Sequence, residues 1–376
     1  MAGIYIHIPF CKKRCIYCDF YSTTNNQLAD SYIDCLCNEL SLRIHEIEAE
    51  NITTIYIGGG TPSQLSNVQL TRLVNYVKTV INFNKISEFT IEVNPDDINT
   101  EYMQLCHSLG INRVSMGIQS FIDTELEIIN RRHNSQQALD AVNIIQSCGF
   151  SNISIDLIYG LPLQTLDSWK ESVKTAISLN VPHISSYNLS YEEGTVLYQK
   201  RENGEINECN EEDCIKMYEI LVNELKNAGY VHYEISNFAK PNCYSQHNTN
   251  YWNLTPYLGI GASAHSFDGK TRRYNPASIH EYMTSLKYNN VAYEEETETS
   301  WEKYNEYVMI NLRTMWGVNL GKLKNAFGDV LYNYLIKNSR KFITNDMMKI
   351  KNDNLIVTEK GIMLSDLIIR TLIYVP

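Results

Sequence analysis

Cys11, Cys15 and Cys18 are separated by three and then two residues, directly after the apolar run Ile4–Ile8. Thiolate is the ligand that iron–sulfur clusters favour, and three thiols in one short loop can hold three corners of a [4Fe–4S] cube. Three ligands leave the fourth iron open, where a small molecule can bind and exchange an electron. Two other readings fit the same residues. A zinc ion would need a fourth ligand to close its tetrahedron, and His7 is the candidate, although it lies on the strand rather than in the loop. Chance clustering is the other, in a chain with ten cysteines. Cys35, Cys37, Cys106, Cys148, Cys209, Cys214 and Cys243 show no comparable spacing and read as structural thiols.

The second apolar run ends in Gly58-Gly59-Gly60-Thr61-Pro62. Such glycines let backbone N–H groups approach a ligand, here a carboxylate, although they also simply make turns. The same ends of later runs carry Glu92, Gln119 and Asp156, with Arg131 a little downstream. Charge at a buried strand end is expensive unless it is paired or bound to something. One such residue could be a cap or a core ion pair. Several on one rim, beside a three-cysteine loop, point to one ligand with an amine, a carboxylate and ribose hydroxyls.

The elements that must position these residues alternate between two periods. Ile4–Ile8, Thr54–Ile57, Phe89–Val93, Arg113–Gly117, Ile153–Ile158 and His183–Tyr187 read as buried strands. Helical spacing lies between them, as in Leu70, Leu73, Val74 and Val77, and Gly110 and Gly149 close helices just before a strand. Six such units imply a parallel α/β architecture, short of the eight that close a standard barrel. The rhythm stops near residue 190. Glu211–Ala228 reads as a helix, and from about Leu286 a helix pair, a small β-wing ending in Leu355–Thr358 and a last helix over Met363–Leu372 suggest a small winged-helix-like α+β domain.

The net charge of −11 argues against a nucleic-acid partner held by phosphate contacts. No apolar run approaches the roughly 20 residues that cross a bilayer. The start, MAGIYIHIPF, has neither a basic segment nor a long apolar core followed by a cleavage site. A cytoplasmic location is therefore expected, where disulfides are disfavoured and grouped thiols more often mean metal.

Taken together, Tyr5-Ile-His-Ile-Pro-Phe-Cys11-x3-Cys15-x2-Cys18-Asp-Phe20, the glycine loop, Glu92-Val-Asn-Pro95, Gly117-Ile-Gln119-Ser-Phe121, Asn130-Arg131-Arg-His133 and Asp156-Leu-Ile-Tyr-Gly-Leu-Pro162 resemble the radical S-adenosylmethionine superfamily, and within it the HemN/HemW family. The resemblance covers essentially the whole chain. It implies a partial six-stranded parallel (βα)6 barrel over residues 1–190, a family extension over 191–285 and a C-terminal domain over 286–376. It also implies a [4Fe–4S] cluster on Cys11, Cys15 and Cys18. Contacts to S-adenosylmethionine would fall on Tyr5, Tyr17, Gly59, Gly60, Thr61, Glu92, Gln119, Arg131, Asp156 and Ser190. In the family the open iron chelates the amino and carboxylate groups of that cofactor, and reduction can cleave it to a deoxyadenosyl radical.

Two departures set the chain apart from the family's coproporphyrinogen oxidases. Those resemble Cys-x3-Cys-x2-Cys-x-Cys, where this chain has Phe20, and they carry an extension ahead of the first strand. His247-Asn248-x2-Tyr251-Trp252 instead resembles the signature of the haem-chaperone branch, with Tyr257-Leu-Gly-Ile-Gly-Ala-Ser-Ala-His265 following. Neutral imidazole is a good axial ligand for haem iron, and Tyr and Trp offer flat apolar faces. The alternative is a packed aromatic cluster around a hydrogen-bonded histidine, and His7 and His265 read as satisfied core or cap residues. The expectation is a haem-binding chaperone that passes haem to acceptor proteins, with His247 on the iron. An oxygen-independent coproporphyrinogen III oxidase-type enzyme is the alternative, and a radical enzyme of unrelated substrate a third.

Overall fold

The computed structural model describes the backbone of residues 1–376 and every side chain except that of Ala49. Six strands alternate with helices along the first half of the chain: β1 (Ala2–Ile8), α1 (Ala29–Arg43), β2 (Ile52–Gly59), α2 (Asn67–Val80), β3 (Glu88–Val93), α3 (Thr100–Ser108), β4 (Arg113–Gln119), α4 (Asp123–Ile128), α5 (Ser135–Ser147), β5 (Asn152–Tyr159), α6 (Leu166–Ser178) and β6 (His183–Asn188). Each strand pairs in parallel with the next. Their Ile- and Val-rich outward faces are buried under the helices, as for Ile55, Ile57, Ile91, Val114, Ile153, Ile155 and Ile184, each at most 1% exposed. Side-chain caps fix where helices start: Ser66 and Gln69 form a capping box on α2, and Asn134 and Gln137 form one on α5.

The arc does not close on itself. α7 (Val196–Glu202) and α8 (Glu211–Asn227) lead into the hairpin β7 (Val231–Glu234) and β8 (Asn237–Ala239), whose second strand pairs antiparallel with β6. α9 (Gln246–Trp252) then precedes β9 (Tyr257–Ile260), which lies parallel to β1 on its free edge. β10 (His265–Phe267), β11 (Thr271–Tyr274), α10 (Ile279–Lys287) and β12 (Glu294–Thr297) continue outward, completing a sheet of 12 strands. The six parallel strands thus form a partial barrel flanked on both sides, with β9 as a seventh parallel strand.

A buried charge network stitches this later segment to the barrel. The Glu39 carboxylate pairs with Arg43 at 2.7 Å and accepts from Asn275 Nδ2 (2.7 Å), Tyr282 OH (2.6 Å) and the Gly261 N–H (2.8 Å). Arg43 donates onward to the Gly259 carbonyl and to Ser266 Oγ. Every partner of the pair is used, which is what makes a fully buried ion pair tolerable.

The C-terminal unit has its own core. α11 (Ser300–Leu312), β13 (Val318–Asn319), α12 (Leu320–Thr344, broken at Gly328), β14 (Met348–Lys351), β15 (Asn354–Val357), α13 (Glu359–Ile362) and α14 (Ser365–Leu372) gather Tyr304, Val308, Leu323, Leu335, Leu355, Ile368 and Leu372. The three-stranded antiparallel sheet with helices against it is the winged-helix-like arrangement expected from the sequence. Among the described residues no helix is long and apolar enough to cross a membrane.

Candidate functional site

The strands alternate, so one face of each lines the barrel interior. That interior is polar: Glu88, Thr90 and Glu92 on β3, Arg113 and Ser115 on β4, Ser154 and Asp156 on β5, and His183, Ser185 and Tyr187 on β6. At the strands' C-terminal ends it opens into a cavity of about 480 Å³. Cys11, Cys15 and Cys18 come to its wall on the loop after β1, together with Tyr17, Gly59, Gly60, Thr61, Glu92, Gln119, Arg131, Asp156 and Ser190. Tyr5 does not reach the wall. Its hydroxyl donates to His7 Nδ1 at 3.0 Å.

Several contacts fix the cysteine loop. Its backbone pairs with Thr23 through the Cys11 N–H at 2.9 Å. Thr61 Oγ1 lies 3.5 Å from Cys11 Sγ, and Arg131 Nη1 lies 3.4 Å from Cys15 Sγ. Burial pushes the Cys18 thiol up to about 11, with Cys15 and Cys11 adding to the effect, and burial raises Cys11 as well. Thiols in such surroundings do not ionise unaided, so thiolate ligation here depends on a bound cation. No three His, Cys, Asp or Glu side chains among the described residues are gathered around one ion. His7 is not free to be a fourth ligand, because its Nε2 bonds the Tyr21 carbonyl at 3.0 Å. The donor set of three thiols and no fourth protein ligand fits a cube with an open corner.

The glycine loop is a close-approach site. Gly59 has φ of 115°, and a Cβ on Gly60 would sit 3.0 Å from Cys11 Sγ and 2.8 Å from the Pro9 backbone. Any larger residue would displace the cysteine loop. The Gly59 N–H donates to Glu92 Oε2 (3.0 Å), while Tyr56 OH donates to Oε1 (2.7 Å). Burial nonetheless pushes the Glu92 carboxyl up to about 7, against those two donors. Asp156 is raised to about 6, again by burial. Both carboxyls face the cavity without an ion-pair partner, the environment in which a cationic or hydroxyl-bearing ligand is favoured.

Two further features were less legible. Gln119 adopts φ of 73° at a register shift between Gly117 and Gln119 in the β4–β5 ladder, turning its side chain back over Gly117. A left-handed glutamine at a bulge on a rim is backbone strain of the kind found at ligand sites. Asn94 links Arg131 (Nη2 to Oδ1, 2.9 Å) to Thr61 (Nδ2 to Oγ1, 3.3 Å), and Arg131 also bonds the Gly117 carbonyl. Asn94 was present in the Glu92-Val-Asn-Pro95 string, but nothing in its type marked it as the bridge. Phe20 stands at the mouth, 66% exposed.

His247 lies elsewhere. It is 1% exposed on α9, its Nδ1 bonded to Thr54 Oγ1 (2.9 Å), its Nε2 to Tyr251 OH (2.9 Å), and its backbone N–H donates to Glu88. Burial holds its imidazole down to about 3, with Arg113 adding. In this conformation neither ring nitrogen is open to a metal, which is the packed arrangement of a hydrogen-bonded histidine among aromatics. Coordination by His247 would require it to give up Thr54 or Tyr251.

A parallel barrel with a three-cysteine loop and a polar cavity defines the class. Residues 5–176 match the family model for the radical SAM superfamily, and residues 299–364 match the HemN C-terminal domain. The chain is 37% identical to the heme chaperone HemW of Bacillus subtilis (strain 168), over 87% of each chain, and 35% identical to that of Lactococcus lactis (strain IL1403), over 96% of this chain and 94% of the other. The coproporphyrinogen III oxidase HemN from Escherichia coli shares the fold, with a TM-score of 0.86 and 23% identity over 99% of this chain and 90% of that one. This chain therefore belongs to the HemW family of the radical SAM superfamily.

Proposed function

We propose that the protein is a cytoplasmic haem-binding chaperone that holds a [4Fe–4S] cluster on Cys11, Cys15 and Cys18, binds S-adenosylmethionine in the adjoining cavity, and passes haem to acceptor proteins. The observation that carries the cofactor part is the convergence of three thiols, the Gly59–Thr61 backbone, Glu92, Gln119, Arg131 and Asp156 on one cavity wall. When bound, cluster and S-adenosylmethionine supply one-electron chemistry at the open iron. The protein's own groups divide the remaining work. Gly59 and Gly60 offer a narrow backbone cradle to the cofactor's amino-acid end, Glu92 accepts from its amine, and Asp156 and Ser190 accept from ribose hydroxyls. Arg131 braces the cysteine loop and Asn94, and Tyr17 covers the cavity beside Cys15. The haem part is supported by the family; in this conformation His247 is bonded to Thr54 and Tyr251, and a place on the iron requires one of those bonds to open.

The test is anaerobic reconstitution, then haem titration with an assay for deoxyadenosine in the same sample. The proposal expects a cluster chromophore, a haem Soret band and haem release to an acceptor. Efficient conversion of coproporphyrinogen III to protoporphyrinogen IX would overturn it in favour of an oxidase.

A further inference from the structure

Arg113 has no role in the site as described, yet its environment is unusual. It is 1% exposed inside the barrel, and its Nε and Nη1 make no hydrogen bond. A guanidinium buried this way is unfavourable unless nearby charges balance it. Its place in the sheet says which charges do. The inward face of β4 runs Arg113, Ser115, Gly117, and the last two line the cavity. Ser115 is in register with Glu92 on β3, and Gly117 with Asp156 on β5. Arg113 thus lies one pleat repeat, roughly 6.7 Å along the strand, beneath the level of Glu92, with Asp156 higher on the neighbouring strand. Both carboxyls feel its charge, which works against the burial that raises them.

We infer that Arg113 is a positioning residue for cofactor binding: from beneath the cavity floor its charge favours the ionised Glu92 and Asp156 that a cationic, hydroxyl-rich ligand requires. This rests on the reading of the cavity as the S-adenosylmethionine site. Arg113 adds to other groups that favour the charged pair: the Tyr56 hydroxyl and the Gly59 N–H do so more strongly for Glu92, and Ser185 does so for Asp156. Tyr56 on β2, Tyr5 on β1, Tyr187 on β6 and Tyr251 on α9 are all raised by burial and stay neutral. Asp156 pushes Glu92 towards the neutral form. His183 and His247 are kept neutral by burial, with Arg113 itself adding to the effect. Arg131, bonded to Cys15, Asn94 and the Gly117 carbonyl beside Asp156, also acts on Asp156, whereas Arg113 acts on Glu92 as well. Glu88, on the same face of β3, lies as near to Arg113 along that strand as Glu92 does, one pleat repeat to the other side of Thr90, and accepts from the N–H groups of Gln246 and His247.

The experiment is titration of S-adenosylmethionine into anaerobically reconstituted full-length protein between pH 6 and pH 8.5, for wild type, Arg113→Met and Arg113→Lys. The ratio of variant to wild-type Kd cancels the ligand's own titration. For Arg113→Met the ratio should be roughly tenfold or more near pH 6.5 and fall towards unity as pH rises and the two carboxyls ionise without help. Arg113→Lys keeps the charge and should stay within about threefold throughout. Equal losses in both variants, a ratio that does not move with pH, or an indifferent Arg113→Met would overturn the inference, because a packing role predicts those results. Should Arg113→Met not fold, a Lys variant whose profile is displaced upward, its charge intact, overturns the inference equally well, and one that overlays wild type supports it. Wild-type protein that binds no S-adenosylmethionine brings down the cofactor reading and this inference with it. A wild type that binds, beside variants that behave as packing mutants, removes the inference alone.

Discussion

Replacing Glu92 with Gln should make the cluster-free protein more stable at alkaline pH while removing its affinity for S-adenosylmethionine. The carboxyl titrates at about 7 in the folded protein against an ordinary value of 4.5. Folding therefore favours the protonated form. The stability this group contributes is fully present below pH 4.5 and is lost as pH rises through 7, by on the order of 3 kcal/mol once ionisation is complete. Gln does not titrate, so it escapes that loss. Its amide still serves both neighbours, Oε1 accepting from the Gly59 N–H and Nε2 donating to the Tyr56 hydroxyl, which donates and accepts alike. The net gain is then on the order of 3 kcal/mol at pH 8.5 and under about 1 kcal/mol at pH 5. Urea denaturation of the metal-free protein at both pH values reads this directly. A Glu92→Gln variant that is less stable at pH 8.5, or that changes equally at both, would refute the view that Glu92 is a strained, ligand-facing charge rather than a settled part of the core. The expected opposition between stability and binding is the general behaviour of functional sites.

Other perturbations reach different parts of the molecule. Arg43→Met should cost about 3–5 kcal/mol, because Glu39 is left charged and buried, and a loss under 1 kcal/mol in denaturant would show that the network linking α1 to β9 and α10 is not holding the sheet together. Cys15→Ala should abolish the visible absorption of the reconstituted cluster while leaving the far-ultraviolet circular dichroism intact; a full-strength chromophore would remove Cys15 from the ligand set. Haem titration should alter amide exchange across Gln246–Trp252, since axial ligation costs His247 its bond to Thr54 or to Tyr251. A complete Soret band with those amides still protected would place the axial ligand elsewhere.

The barrel was readable because its strands are buried on both faces and its helices are amphipathic, so two periods alternate cleanly from Ile4 to Tyr187. Glu211–Ala228 was equally plain, and α8 spans Glu211–Asn227. The β9 strand was not legible. Four residues, Tyr257–Ile260, carry too little pattern, and only the free edge of β1 makes them a strand. Among site residues, chemistry-bearing types at strand ends could be found by position alone. The setting of His247 could not, because a histidine followed by Tyr and Trp looks the same whether its nitrogens face solvent or Thr54 and Tyr251. Arg113 was read as the first residue of a strand, and its inward direction became meaningful only with the register of β3, β4 and β5 in place.

The central claim is that three thiols after β1 hold a cube whose fourth iron meets a ligand seated in the Glu92–Asp156 cavity. Iron X-ray absorption and low-temperature electron paramagnetic resonance on anaerobically reconstituted, reduced protein, with and without S-adenosylmethionine, test it most directly. A cubane iron–sulfur signature whose resonance shifts when S-adenosylmethionine is added is the expected result. Material that takes up only tetrahedral zinc, or a cluster whose spectrum ignores the added cofactor, would contradict it.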